Sequence, residues 1–501
     1  MKQLIFSEKV TTGSGETNTW KYRSDVFDRI SALICLALYL VFPLVDGPIL
    51  CVDSTSYISM DFSREPVYPA FLAILRRVFG DSDYLMAAVL LQSVLAAYAA
   101  WKLMTLIRRE CGGSKVMAVL AFGCQYGVTL LNRFAAGRGS AYTECIMTEG
   151  LGLSLYTLFI LQLYLYIRTE RRRNLAGLLI YAHILINLRK QMMITLLLAA
   201  FIFLWREIRE GLEARKTDRP HGSEDKAKEN ANAVRSLRQR AGRIVILFLL
   251  LAAVLCTDKA ADRVYNYAVR GAFEEHSGNS MGFLCTLLYS SDPEHDAELF
   301  EDAELRSLYE QIMEQADEQE LLYAYGEDGL LKRSNHFSEC YDAIGYGITN
   351  PVIQGYLRQT ADHELTTVEL YQGYDDYCVR ISRILLRQKP EHMVRTFFCN
   401  FLKGLINTVA RAEGALCWYS AAVYALIFGL YFYLRRKKRG DKNAALRMTE
   451  IVLSGVVIDS LVVAALIFTQ SRYMIYSMSL LYVVLIMELR DMYQILRPSA
   501  K

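Results

Sequence analysis

The chain has 501 residues, of which 53% are hydrophobic and 22% charged, too apolar a balance for an ordinary soluble enzyme. Its mean hydropathy of +0.17 is modest, so apolar spans must alternate with sizeable polar segments. The net charge of +3 excludes little because the charges are unevenly placed, whereas eleven cysteines without a CxxC pair or Cys/His ligand spacing argue against a zinc site.

Residues 1–28 are polar, with no cleavable signal peptide, and predict a cytoplasmic tail followed by an uncleaved signal-anchor. A bilayer core takes about 20 apolar residues per helix. On that measure spans are predicted at 29–46, 84–107, 115–131, 150–167, 174–188, 190–205, 243–257, 413–434, 448–469 and 473–490. Cytoplasmic loops carry an excess of Lys and Arg. With both ends inside, those loops hold Arg108, Arg109 and Lys115, then Arg168 and Arg171 to Arg173, then the basic 206–242 segment, then Arg435 to Arg439. Hydropathy and charge therefore predict one topology: an all-α polytopic bundle of about ten spans. Its parts are an amino-terminal module over 29–257, with an outer loop at 47–83 and a flexible cytoplasmic loop at 206–242, then an extracytoplasmic domain at 258–412. Carboxy-terminal spans at 413–490 and a cytoplasmic tail at 491–501 complete it.

Helical patterning around 297–324 and 391–410 predicts that the 258–412 domain is folded and mostly helical. From 292 to 328 it carries fourteen acids against the single base Arg306, a solvated helical face rather than a calcium loop. Cys285, Cys340, Cys378 and Cys399 fall in this domain and could pair in an oxidising compartment. His183, His276, His295, His336, His363 and His392 lack ligand spacing, so no metal site is predicted. The basic loops determine topology and indicate no nucleic-acid partner.

Ionisable residues near bilayer depth tend to face a cavity or a partner. On the predicted outer side these are Asp53, Glu65, Glu144, Glu149, Arg189, Lys190 and Arg472. The three cations oppose the positive-inside trend and suit an anionic ligand such as a lipid-linked phosphate, although each could equally neutralise an outer acid or a headgroup. Asp53 and Tyr57 are spaced to share one helical face, and Asp53 alone could be a helix cap. Pro66 and Pro69 lead into an amphipathic stretch, 70–79, that suits an interfacial helix. Glu149 fits a first-turn acid favoured by the helix dipole as well as it fits a functional role. Gln92 fits a hydrogen bond inside the bundle.

Taken in order, these motifs resemble the GT-C superfamily of integral-membrane glycosyltransferases, in the branch of protein O-mannosyltransferases, lipid A aminoarabinose transferases and bacterial family 39 and family 83-like enzymes. The similarity lies in Asp53-Ser54-Thr55-Ser56-Tyr57 after the first span and Arg64-Glu65-Pro66-Val67-Tyr68-Pro69 before an interfacial helix. Gln92 in the second span, Thr148-Glu149 ahead of the fourth, Arg189-Lys190 at an outer helix end and Arg472-Tyr473 opening a late span complete it. It covers the first 200 residues and one motif near the end. The second carboxylate of the family's Asp-Glu pair is Ser54 here, and 258–412 has no counterpart.

The resemblance implies a polyprenyl-phosphate-linked sugar donor, a hydroxyl-bearing acceptor and transfer at the outer face of a bacterial cytoplasmic membrane, with inversion at the anomeric carbon. It implies Asp53 as general base and Arg189, Lys190 and Arg472 on the donor phosphate. Tyr57, Arg64, Glu65, Glu144, Glu149 and Tyr473 would contact substrate. No organic cofactor is implied, and a divalent cation is left open. Two other classes share outer cations: a polyprenyl-lipid transporter or flippase, which should show internal repeats, and a lipid-diphosphate oligosaccharide polymerase or ligase. A scaffold presenting 258–412 to partners would leave the helix-end charges without a task.

Overall fold

The computed structural model describes residues 7–11, 17–21, 25–134, 140–217, 226–437 and 443–497. Parts of both predicted tails, of the 132–149 loop, of the 206–242 loop and of the basic run at 435–439 lie outside the described residues. An apolar medium leaves a helix as the natural way for a single segment to satisfy its backbone groups. Eight described helices are long and apolar enough to cross a membrane: Val26–Asp46, Val67–Glu110, Thr148–Thr169, Lys190–Arg209, Arg240–Arg270, Ala415–Arg436, Ala444–Leu466 and Ser471–Leu496. The chain is thus a helical protein compatible with multi-pass insertion.

Two of the ten expected spans differ. The helix Lys115–Phe134 is diluted by Gln125, Thr129 and Asn132, all buried against neighbours: Gln125 donates to Thr157 Oγ1 (3.1 Å) and accepts from Ser479 Oγ (2.6 Å). The helix Arg172–Leu188 has only 17 residues and opens on two arginines. One further expectation needs correction. The 206–242 segment is largely helical, because one helix runs on to Thr217 and the next starts at Lys226. That second helix continues unbroken to Arg270, carrying the short 243–257 span on into the start of 258–412. The polar tail carries an antiparallel hairpin of Ser7–Thr11 and Thr17–Lys21, with Ser7 opposite Lys21.

The 44-residue helix Val67–Glu110 is broken at Gly80, whose φ of 78° is left-handed and suits glycine. The arm before the break holds the predicted interfacial stretch and exposes Ile74, Val78 and Phe79. The arm after it enters the bundle. One hydrophobic core runs through the long helices and includes Tyr57, Tyr68, Tyr156, Ile475 and Tyr476. A second fills 258–412, built from the helices Met281–Leu288, Ala303–Glu318, Leu330–Asp342, Thr367–Gln388 and Pro390–Asn407, and it extends onto Phe468, Tyr473 and Met474. The two cores therefore meet at the short helix Ser471–Met474. The four cysteines in 258–412, Cys285, Cys340, Cys378 and Cys399, are buried free thiols.

Candidate functional site

The first helix ends at Gly47, whose amide closes on Pro43 O (3.1 Å). The chain then runs beside the segment that precedes Thr148–Thr169: Ile49 N donates to Glu144 O (2.9 Å) and Ile146 N to Ile49 O (3.0 Å). Ser54 fixes the register, donating from Oγ to Ile146 O (2.8 Å) while accepting from Cys51 N (2.7 Å). Ser54 is thus a structural tie. Gln92 holds the same segment from inside the bundle, donating to Thr143 O and Cys145 O (both 3.1 Å) and accepting from Tyr68 Oη (2.7 Å). Gly150 leaves room for it, since a Cβ there would lie 2.6 Å from Gln92 Nε2. These ties set the segment that carries Asp53, before the helix Ser54–Ile58, beside the one that leads into Thr148–Thr169, whose first turn holds Glu149.

Asp53 makes no capping bond to its own helix. Its Oδ1 accepts from Arg64 Nη2 and its Oδ2 from Arg472 Nη1, both at 2.9 Å. Burial alone would raise the Asp53 carboxyl, but Arg472 and then Arg64 outweigh it and hold the group below its ordinary value of 3.8. Arg64 also donates from Nε to Ser56 Oγ (2.8 Å), and its guanidinium lies 4.8 Å from the centre of the Tyr57 ring. Burial pushes the Tyr57 phenol up to about 12, so it remains a hydrogen-bond donor near neutrality.

The second pair is deeper. Arg189 Nη1 donates to Glu149 Oε1 at 2.5 Å. Tyr473 joins the two pairs, with the Arg189 guanidinium 4.6 Å and that of Arg472 5.1 Å from its ring centre, close enough for cation–π attraction. Its hydroxyl also accepts from Arg472 Nη2 (3.2 Å). Exposure grades across the cluster: Asp53, Arg64 and Arg472 retain 22–25% of their side-chain surface, and Glu149 retains 1%. The Asp53 end is thus the more accessible one.

Lys190 and Glu144 stand apart from this cluster. Lys190 starts a 3-10 turn, which sends adjacent side chains different ways. Its amide donates to Glu65 Oε1 (2.5 Å) and its ammonium faces Asp258 at 3.8 Å. Glu144 accepts from Ala141 N (2.6 Å) and pairs with Arg133, which also binds Asp46. Glu65 is a link between neighbouring groups: it fixes the Lys190 backbone and interacts electrostatically with Arg64 and Tyr57 on one side and with His276 on the other.

Several participants were not singled out from the sequence. Gln191 donates to Tyr473 O (2.9 Å) and to Asp459 Oδ1 (3.1 Å), tying the Arg189 turn to the Arg472 turn and to the helix Ala444–Leu466. Asp459 is fully buried, and its Oδ2 has no partner among the described residues. A carboxylate inside an apolar run was the available signal. From 258–412, a π-helical stretch, Ala343–Thr349, follows Asp342 and carries Tyr346. Asp342 interacts with Arg472 and Asp53, and Tyr346 with Arg64, Tyr473 and Asp53. Burial raises both groups. No sequence pattern announced that contribution, because a π bulge shifts register by one residue without a fixed motif.

Chemically, the cluster offers guanidinium donors to an anion and a carboxylate beside them, with the rings of Tyr57 and Tyr473 buried beneath the arginines. Among the described residues no group of three or more His, Cys, Asp or Glu side chains is placed to hold a metal ion. Comparison with protein-family models, with curated proteins and with solved structures finds no match for this chain.

Proposed function

We propose that this protein is a GT-C-like membrane glycosyltransferase. It moves a sugar from a polyprenyl-phosphate donor to an acceptor hydroxyl at the extracytoplasmic face, in keeping with the basic loops at the opposite ends of the helices. The supporting observation is that Asp53 is bonded at once to Arg64 and to Arg472, the latter 419 positions away in the chain. A lone carboxylate, without a capping task, is thereby held among arginines at the margin of the apolar bundle.

In this reading the acceptor oxygen attacks the anomeric carbon while its proton passes to the Asp53 carboxylate. The bond from that carbon to the phosphate oxygen breaks, and the phosphate leaves with the electron pair, opposed by Arg472 and Arg64 and, deeper, by Arg189. Attack opposite the leaving group inverts the anomeric centre. Tyr57 and Tyr473, buried beneath the guanidiniums, hold Arg64, Arg189 and Arg472 in place. Glu149 orients Arg189, and Gln191 holds the two arginine-bearing turns in register.

The test is turnover by the protein reconstituted in lipid, offered a panel of polyprenyl-phosphate hexoses and pentoses with hydroxyl acceptors. Asp53→Asn should lower transfer by about 10²–10⁴-fold, the usual contribution of a positioned base. Wild-type turnover by a well-folded Asp53→Asn variant would contradict the reading. Lipid translocation without a covalent product would assign the protein to the transporter class instead.

A further inference from the structure

We propose that the Asp53 carboxylate occupies, in the ligand-free protein, the place between Arg64 and Arg472 that a ligand phosphate takes, so that phosphate binding and release of Asp53 are a single exchange. This rests on the phosphate-donor reading above and adds an order to it: donor first, acceptor second.

Four observations carry the exchange. Each oxygen of Asp53 is taken by a different guanidinium at the same 2.9 Å, the bridging geometry by which arginines also grip phosphate oxygens. The carboxylate does not cap the helix that it precedes. Arg472 also keeps a buried Nε with no partner among the described residues, a donor that a planar carboxylate engaged elsewhere leaves unused and that a tetrahedral phosphate has spare oxygens to meet. Finally, the cluster has no cation to spare. Arg64, Arg189 and Arg472 already face Asp53 and Glu149, with Asp342 and Glu65 close by. A phosphodiester bears one negative charge. Added to the cluster it would leave an excess of acid, whereas exchanged for Asp53 it leaves the balance unchanged.

The exchange also prepares the base. A carboxylate with both oxygens held by arginines is a weak proton acceptor. Once Arg472 turns to the phosphate, Asp53 has a free oxygen and has lost the cation that held its affinity for protons down most. The acceptor hydroxyl then meets a competent base only when a donor is present, which protects the site from idle chemistry.

The experiment measures binding of undecaprenyl monophosphate and of inorganic phosphate to the full-length protein in nanodiscs. If the carboxylate competes with phosphate, Asp53→Asn should bind undecaprenyl phosphate about tenfold or more tightly than wild type, because removing a unit negative charge at contact distance is worth at least that factor. Arg472→Gln should lose binding in both backgrounds. Equal tightening for inorganic phosphate would assign the place to phosphate groups generally, and tightening for the lipid alone would assign it to membrane-anchored phosphate. Measurable binding that is unchanged or weaker in Asp53→Asn overturns the exchange and leaves the proposed function standing. No binding to any variant overturns both. Should Asp53→Asn fail to fold, Asp53→Ser asks the same question with a smaller neutral side chain.

Discussion

Two aspartate–arginine clusters sit at opposite ends of the first long helix, and they are built in opposite senses. Where Val26–Asp46 begins, one arginine holds two aspartates: Arg108 bonds Asp28 at 2.8 Å and also pairs with Asp25. Beyond its far end, one aspartate is held by two arginines, Arg64 and Arg472. The first cluster has a full structural explanation. Asp25 caps the helix by accepting from Asp28 N (3.0 Å), Asp28 O accepts from Trp101 Nε1 (3.0 Å), and Arg108 completes the join between two helices. The second has no such task, because Asp53 caps nothing and draws on the two ends of the chain. Identical side chains thus carry different meanings. What separates them is whether packing already accounts for the charge.

That contrast can be broken or sharpened by mutation. The largest effect is expected where packing is the whole account. Arg108→Ala strands Asp28, which is 2% exposed, and should cost about 3–5 kcal/mol, as breaking a buried pair does. A thermal or denaturant melt should show that loss while turnover per folded molecule is retained. Arg472→Ala should do the reverse, lowering transfer by about 10²–10³-fold, as removal of a positioned donor to a developing oxyanion does, with a much smaller change in melting. Similar losses of stability in the two variants would erase the distinction between the clusters.

A smaller effect tests the scaffold behind Asp53. Gly150→Ala places a methyl group 2.6 Å from Gln92 Nε2, which must then give up its hold on the 143–145 carbonyls. Overpacking of this kind costs about 1–3 kcal/mol. Melting should register it, and Gln92→Ala in the same background should recover part of the loss.

The smallest effect concerns the neighbouring group on the other side of Glu65. His276 Nδ1 meets Asp262 Oδ2 at 2.6 Å, and the same oxygen accepts from His276 N (2.9 Å). Burial would lower the imidazole, but the bond to Asp262 outweighs it and raises the group above its ordinary 6.5, with Glu65 adding to the rise and Lys190 opposing it. The folded state therefore favours the protonated ring. Its stabilisation is complete below 6.5 and is lost as pH climbs through the raised value. Hydrogen exchange over 271–280, corrected for intrinsic rates and compared on either side of 6.5, should show faster opening on the alkaline side. Asp262→Asn should flatten that dependence.

Much of the cluster was legible in the sequence because membranes make charge conspicuous. Asp53, Glu149, Arg189 and Arg472 each stand at a predicted helix end, where an apolar neighbourhood leaves a charge little reason to be without a partner. Side-chain direction was not legible. Arg189 and Lys190 are adjacent and look equivalent, but a 3-10 turn sends one to Glu149 and the other to Asp258. Asp459 and Gln191 were overlooked because their partnership spans 268 positions, and Asp342 because the π stretch that presents its neighbours follows no sequence period. Hydropathy fared similarly. It located the eight long apolar helices and found 174–188 among the weaker stretches, but gave Lys115–Phe134 full weight although buried amides dilute it.

All of the chemistry proposed here requires the first loop to face away from the cytoplasm. Val52, beside Asp53, is 99% exposed and touches none of the ion pairs, so a cysteine in its place reports the side without disturbing the cluster. Intact cells carrying Val52→Cys should be modified at that residue by a membrane-impermeant maleimide, as read by mass spectrometry of the labelled peptide. Modification at residue 52 only after the membrane is opened, or only in inverted vesicles, would contradict the account.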